Sequence, residues 1–376
     1  MNATSRVRSR LGLVGGMMLA VAIVVTAVLA LSGCAPLAAS GQATDAPAKT
    51  GPADELRLGY FANVTHAPAL VGLEEGLFVG ALGDTKLTTQ VFNAGPAAIE
   101  ALSAGAIDAT YIGPNPSINT FIQSEGASAR IVAGAATGGA ALVVHEAIDD
   151  AGDLEGTTLA TPQLGNTQDV ALRNWLADEG FETDTTGGGD VHITPTENAQ
   201  TLTLFQQGGL DGAWLPEPWV SRLLADGGHG AHVLVDEADL WEDGAFPTTV
   251  MLVRAEFLAE HPETVRALLE GHVASVAWLD EHGAEAPSVI NAALERDTGK
   301  ALADAVITRA LEHVTFSVDP HADAFETLVA NGLEAGTQKD GSIDGLFDLR
   351  LLNELLAESA STGGTEPVSA GGLGEE

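Results

Sequence analysis

A chain of 376 residues is long enough for two domains of ordinary size, and its 45% hydrophobic content argues against wholesale disorder. Its 16 Lys and Arg stand against 52 Asp and Glu, for a net charge of −36; that argues against binding nucleic acid and against docking on an anionic membrane through a basic patch. One Cys excludes an intrachain disulfide and any zinc site built on several thiolates.

In chain order, Arg6, Arg8 and Arg10 precede an uncharged run from Leu11 to Leu31, followed by Ser32-Gly33-Cys34. A basic start, an apolar run and small residues before a cleavage point read as an export signal. The sequence Leu31-Ser32-Gly33-Cys34 resembles a bacterial lipobox, which implies cleavage after Gly33 and lipidation of Cys34. An uncleaved membrane anchor is the rival reading, since the apolar run is long enough to span a bilayer. Both put residues 35 onward outside the cytoplasmic membrane. Residues 34–53 read as a tether rich in small residues. The tail, 359–376, has similar composition and is expected to be disordered, so the fold should occupy about 54–358.

Leu56–Tyr60 reads as a buried strand, Ala67–Glu75 as a helix, and Lys86–Phe92 as a strand. A helix follows from Gly95-Pro96 to Ala104, with Pro in its first turn. Ala109–Ile112 is a third strand. The Gly113-Pro114-Asn115-Pro116 run is expected to hold off the next helix until Ser117. Ile131–Ala135 and Ala141–His145 are apolar strands. A second series follows: strand Thr158–Thr161, helix Thr167–Glu179, strand Val191–Thr194, then a helix capped by Thr196 and ending at Gln207. Strand Gly212–Leu215, helix Pro218–Ala225, and strands Val233–Val235 and Thr248–Val253 complete it. Beyond Ala255 the pattern is nearly all helical. No internal repeat and no phosphate-binding GxxxxGK[ST] loop occurs.

This alternation predicts an α/β protein with mostly parallel sheets and helices on both faces. Ligands of such sheets collect at the carboxyl ends of strands, where helix N-termini offer free N–H groups. That singles out the loops 63–66, 93–96, 113–116, 163–167 and 215–218.

The stretch from Gly95-Pro96 through Glu100-Ala101-Leu102 to Gly105-Ala106-Ile107-Asp108 resembles the G-P-x-x-x-E-A-L-x-x-G-x-I-D segment of sulfonate-type solute-binding proteins. Gly165-Asn166-Thr167 with Leu172-Arg173, and Phe205-Gln206-Gln207-Gly208 through Trp214, Glu217 and Pro218, resemble that family's second-lobe segments. The likeness runs in order from about Leu56 to Arg254. It implies the two-lobed, type II periplasmic-binding-protein-like fold with two crossovers. Lobe 1 would be 54–143 plus 248–358, and lobe 2 would be 144–247. The family consists of extracytoplasmic receptors of ABC importers for aliphatic sulfonates, taurine, nitrate and relatives. The implied partners are therefore a small solute, a permease and an ATPase, with a monomeric receptor held on the membrane by lipid on Cys34. No cofactor, metal or catalytic residue is expected.

Carried onto these loops, the candidate ligand-binding residues are Asn63, Thr65, His66, Pro96, Asn115, Gln163, Gly165, Asn166, Thr167, Trp214, Glu217 and Thr248. Each has a structural alternative. Thr65 could cap a helix, Pro96 could only start one, and Asn115 could serve a turn. Trp214 could wall the ligand or pack in the core. Glu217 could meet an amine, lie in solvent, or satisfy N–H groups of the helix behind it. None of the loops carries Lys or Arg. An oxyanion would be held by neutral donors, with His66 as a candidate charge. These features point to a zwitterionic solute or one with a long neutral body. The other readings are a receptor for nitrate or bicarbonate, a receptor for an aromatic vitamin precursor stacked on Trp214 and Tyr60, and a ligand-sensing lipoprotein without a transporter. A pyridoxal-phosphate pyrimidine-synthase-like enzyme is a further rival, but Lys86, Lys300 and Lys339 lie away from the loops in sequence.

Overall fold

The computed structural model describes residues 51–360 and 366–375; the export signal, Cys34 and most of the tether lie outside them. The first unit runs β1 (Glu55–Phe61), α1 (Ala67–Glu74), α2 (Leu77–Leu82), β2 (Lys86–Phe92), α3 (Gly95–Ser103), β3 (Ala109–Ile112), α4 (Pro114–Gln123) and β4 (Ala129–Gly138). Then follow β5 (Ala140–Val144), β6 (Thr158–Thr161), α5 (Thr167–Asp178), β7 (His192–Pro195), α6 (Asn198–Gln206), β8 (Gly212–Pro216), α7 (Trp219–Asp226) and β9 (His232–Asp236). The chain returns through β10 (Pro247–Arg254) into α8 (Ala255–Glu260), α9 (Pro262–Glu281), α10 (Ala286–Thr298), α11 (Asp304–Glu312), β11 (Val314–Phe316) and α12 (Phe325–Glu334). It ends with β12 (Phe347–Asp348), α13 (Arg350–Ala360) and β13 (Gly374–Glu375).

These strands form two sheets. One has the order β13-β12-β4-β10-β3-β1-β2, with β11 also on β4; the other is β7-β6-β8-β5-β9. The βα units pair in parallel, as their pattern predicts: β1 with β2 and β3, and β6 with β7 and β8. The sheets as wholes are mixed, because the crossing strands run the other way. β10 lies antiparallel between β3 and β4, and β5 lies antiparallel between β8 and β9. The first crossover is the pair Gly138-Gly139, both with positive φ. Residues 140–143 therefore belong to the second sheet, earlier than the expected switch at residue 144.

Side-chain alternation explains how the second sheet is covered on both faces. On β5, Leu142 and Val144 join one apolar cluster with Leu159, Trp175 and Trp214, while Ala141 and Val143 join another with Phe205 and Leu215. The first sheet shares one larger core with the helices of the C-terminal third, as α9 brings Val265, Leu268 and Leu269 onto it.

Four local expectations are corrected. α4 starts at Pro114, so both prolines sit in its first turn, where a missing N–H costs nothing. The residue flanking the start of α6 is Glu197, not Thr196. α2 had no counterpart in the sequence reading. The tail is ordered over 366–375: Ala370 and Leu373 are buried, Asn353 exchanges two hydrogen bonds with Val368, and β13 pairs with β12. Its few apolar residues cover the open edge of the first sheet.

Gly139 carries the crossover. Its φ is +72°, and a Cβ there would lie 2.4 Å from Val314 Cγ2. Gly139→Ala should therefore lower unfolding free energy by about 1–3 kcal/mol in chemical denaturation. Gly80→Ala, in the open face of α2 with nothing within 4 Å of its Cβ, should leave stability equal or higher.

Candidate functional site

The carboxyl ends of β1, β2, β3, β6 and β8 converge on one small chamber between the lobes. From the first lobe it is lined by Asn63, Thr65 and His66 after β1, Gly95 at the start of α3, and Gly113 and Pro116 around the start of α4. From the second come Asn166, Thr167 and Gln168 at the start of α5, Asn198 at the start of α6, and Pro216. Thr248 and Thr249 of the returning β10 complete the wall. Four helix N-termini thus face one space, and that is the electrostatic signature of an anion or acceptor site. The chamber offers about 30 Å³ of room, enough for a very compact group.

No carboxylate, Lys or Arg lines it. His66 is not the charge that the sequence suggested. Burial pulls its pKa down to about 3, so the ring is neutral at physiological pH. It stacks on Phe61 with ring centroids 4.4 Å apart, and its Nδ1 accepts the Phe61 N–H at 3.2 Å. The ring proton therefore sits on Nε2, where it can be donated.

Three polar atoms on the chamber wall have no partner within the described protein: Thr167 Oγ1, Thr249 Oγ1 and Asn198 Oδ1. Their residues are 4%, 1% and 7% exposed. Buried polar atoms left this way are rare, and each costs about 1–3 kcal/mol.

Several lining groups also join the lobes. Trp219 Nε1 donates to Asn63 Oδ1 at 2.9 Å, and the Gly95 N–H donates to Asn166 Oδ1 at 3.3 Å. Both amides keep their NH₂ groups as donors. Gly95 must be glycine for this approach, since a Cβ would lie 2.4 Å from Pro116 Cγ. Asn93 Nδ2 reaches Glu197 Oε1 at 3.1 Å. On the far side, Asn174 Nδ2 donates to Glu334 Oε2 at 3.2 Å.

Of the sequence candidates, Asn63, Thr65, His66, Asn166, Thr167 and Thr248 meet on the chamber. Thr65 lies in a short 3-10 turn and makes no cap. Thr248 Oγ1 is tied to the Gly138 carbonyl at 2.5 Å, so it also fastens the crossover. The others lie elsewhere. Pro96 only starts α3; its neighbour Gly95 does the lining. Asn115 is fully buried, and its Nδ2 donates to the Leu328 carbonyl of α12 at 3.4 Å. The side chain of Gln163 is outside the lining, while its carbonyl accepts the Asn166 N–H at 3.0 Å. Gly165 donates its N–H to Asp169 Oδ2 at 2.9 Å. Asp169 is itself bound by Arg173 and by Thr161 Oγ1, a buried brace that holds the start of α5 in place.

Trp214 takes its structural alternative. It is fully buried in the second lobe and donates Nε1 to Glu237 Oε2 at 2.7 Å; burial raises the Glu237 pKa to about 8. Tyr60 is also away from the chamber, its hydroxyl 2.9 Å from Asp297 Oδ2. Glu217 is 1% exposed and does not face the chamber. It accepts from the Ser221 N–H and hydroxyl in α7 and pairs with Arg309 of α11 at 2.7 Å. It is an inter-lobe tie, and the argument that it welcomes a ligand amine falls with that placement. Burial raises its pKa, opposed by Ser221 and Arg309.

Asn93 and Gly95 fall in the loop 93–96 that the sequence singles out, though only Pro96 is named there; Asn198, Thr249 and Trp219 lie outside the named loops. Asn198 and Trp219 each begin a helix of the second lobe and carried a recognisable signal there. Thr249 lies within an apolar strand and carried none.

A fold of two α/β lobes meeting around a chamber at the carboxyl ends of both sheets is that of the two-lobed binding proteins. Residues 49–293 match the NMT1-like family, and the chain belongs to that family. It is 27% identical over 209 residues to the taurine-binding periplasmic protein of Escherichia coli K12, covering 55% of this chain and 61% of that one. It is 28% identical over 115 residues to the bicarbonate-binding protein CmpA of Synechococcus elongatus, covering 30% and 24%. The match to the taurine-binding relative thus spans about three fifths of that protein's length. Among solved structures, the alkanesulfonate-binding protein SsuA of Xanthomonas axonopodis pv. citri bound to MOPS superposes with a TM-score of 0.65 at 22% identity, over 77% of this chain and 96% of that one. Among the described residues no helix is long and apolar enough to cross a membrane, and no cluster of ligating side chains suits a metal.

The neutral His66 sets an acid-side instability. The unfolded imidazole protonates near its ordinary value of 6.5, whereas the folded one resists until about 3. The unfolded state therefore binds more protons in that window, and stability present above pH 6.5 is lost as pH falls toward 3. His272, buried and held down to about 4, acts in the same direction. Glu237, which burial raises to about 8, acts in the opposite direction, so the check is a difference: on going from pH 7 to pH 5 the denaturation midpoint of His66→Gln should lose less, or gain more, than that of the wild-type protein.

Proposed function

We propose that this protein is the extracytoplasmic solute-binding component of an ABC importer and captures a small sulfonate-like solute, an alkanesulfonate or taurine, between its closing lobes. The observation that carries this reading is the chamber: neutral, faced by four helix N-termini, and holding two unpartnered Thr hydroxyls. A sulfonate offers three acceptor oxygens on a compact head, which suits the Thr167 and Thr249 hydroxyls, the NH₂ groups of Asn63 and Asn166 and the His66 Nε2–H as donors. Fixed dipoles in a water-poor site bind an anion without a formal positive charge. The taurine-binding relative supports the same class of ligand. In this reading a monomer held at the outer membrane face by lipid on Cys34 delivers solute to a permease and ATPase, with no catalysis of its own.

A second reading, an inorganic oxyanion such as bicarbonate or nitrate, is favoured by the small size of the chamber and by the bicarbonate-binding relative. A thermal-shift panel of ethanesulfonate, taurine, nitrate and bicarbonate separates the two. A ligand at a hundred times its Kd should add about 2.7 kcal/mol of stability. Response to the sulfonates is expected; response to nitrate or bicarbonate alone selects the second reading, and a flat panel overturns both. Thr167→Val and Thr249→Val should each weaken sulfonate binding by about tenfold in calorimetry, the value of one hydrogen bond to a charged group.

Glu217 gives an independent check. As a tie between lobes it should act on closure and not on the ligand's far end. Glu217→Gln should therefore weaken taurine and ethanesulfonate by the same factor. Selective loss of taurine would restore the amine-binding role.

A further inference from the structure

Asn63, Asn93 and Asn198 border the chamber and also border a second cavity of about 720 Å³, so three amides stand between a small inner space and a large outer one and form the neck that a longer solute would have to pass. The outer cavity lies between α6 and α7 of one lobe and α10, with the segment leading to α11, of the other. Its volume is that of an ordinary small-molecule site. Its apolar wall includes Leu294, Ala303 and Val306.

Trp219 connects the two spaces. Its Nε1 donates to Asn63 at the neck, and its ring face carries the Arg222 guanidinium 4.4 Å from the ring centroid. Both residues line the outer cavity. Arg222 is half-buried and forms no ion pair among the described residues. The carboxylates on the same wall are largely engaged otherwise. Glu197 accepts from Asn93, and Asp297 accepts from Tyr60 and Arg296. Asp226, one turn along α7, exerts a through-space pull on Arg222 but does not pair with it. A planar cation stacked on an indole and lacking a carboxylate is a pre-organised receiver for an anionic group. Lys300 adds a second, exposed cation to this cavity, although its sequence position placed it away from the ligand loops.

Resting on the receptor reading above, we propose that the solute is a short dianion: a sulfonate-like head seated in the chamber, and a carboxylate or similar anionic end that passes the asparagine neck and is received by Arg222 on the face of Trp219. This explains why the inner chamber needs no cation of its own. The formal positive charge of the site stands at the far end of the ligand, where it selects for length and for a second charge.

The test is calorimetry on the purified full-length protein with ethanesulfonate, sulfoacetate and taurine, which share a head group and differ at the far end in carrying a methyl, a carboxylate or an ammonium. Sulfoacetate should bind at least tenfold tighter than ethanesulfonate. In Arg222→Met the two should bind within twofold of each other, while Arg222→Lys should keep part of the gain. Equal binding of ethanesulfonate and sulfoacetate to the wild-type protein, tighter binding of taurine than of sulfoacetate, or a gain that survives in Arg222→Met overturns the proposal and leaves the receptor reading standing. No binding by any of the three overturns the sulfonate reading of the receptor, and this proposal with it.

Discussion

Everything in the cleft follows from four helix N-termini being aimed at one buried space. Each brings N–H groups that its own helix cannot satisfy. The structure keeps every Lys, Arg, Asp and Glu off the chamber wall, and burial keeps His66 neutral. A carboxylate there would consume the donors, and a lysine would compete with them for an anion. Asparagine and threonine are the side chains that can line such a space without doing either. The same requirement explains Glu217: an acid on the loop after β8 is tolerated because Arg309 and Ser221 turn it away from the chamber and into the seam between lobes.

How much of this could be read beforehand depends on how far each contact reaches along the chain. Strands such as Lys86–Phe92 and Thr158–Thr161 are set by local apolar pattern, and the structure places them as read. The ligand loops were legible for a related reason, since a βα unit announces its own carboxyl end. Partnerships across the lobes were not. Nothing near Glu217 points to Arg309 in α11, and nothing near Trp219 points to Asn63. Trp214 shows a different limit. All five residues of β8 are buried, so alternation along the strand gives no clue to which face meets a ligand. The tail misled because its composition is that of a linker; one leucine and one alanine suffice to dock it where a sheet edge stands open.

The net charge of −36 is compatible with the proposed anion site because the two act over different ranges. Screening in physiological salt decays over about 8 Å. Surface acids therefore contribute little inside a closed cleft, while N–H groups in contact with a ligand are hardly screened. The acids govern solubility, and the fixed dipoles govern binding.

On the proposed receptor reading, ligand and closure are coupled by the same atoms. Among the described residues the side-chain bonds between the lobes are polar: an indole to an amide, two amide contacts with carboxylates, a backbone N–H to an amide, Arg309 to both Glu217 and Ser221, and a His313–Asp236 contact. Such contacts exchange readily with water, so closure alone gains little. Closing also removes Thr167, Thr249 and Asn198 from solvent with atoms that the protein does not satisfy. At about 1–3 kcal/mol for each such atom, the closed form without a solute is disfavoured by an amount comparable to what its inter-lobe bonds supply. A solute that accepts from the Thr167 and Thr249 hydroxyls would recover their share of that cost only in the closed form. Differential binding to one of two states is the condition for shifting between them. The unpartnered hydroxyls are thus the means by which occupancy becomes shape, and a chamber fully satisfied by its own side chains would close as readily on nothing.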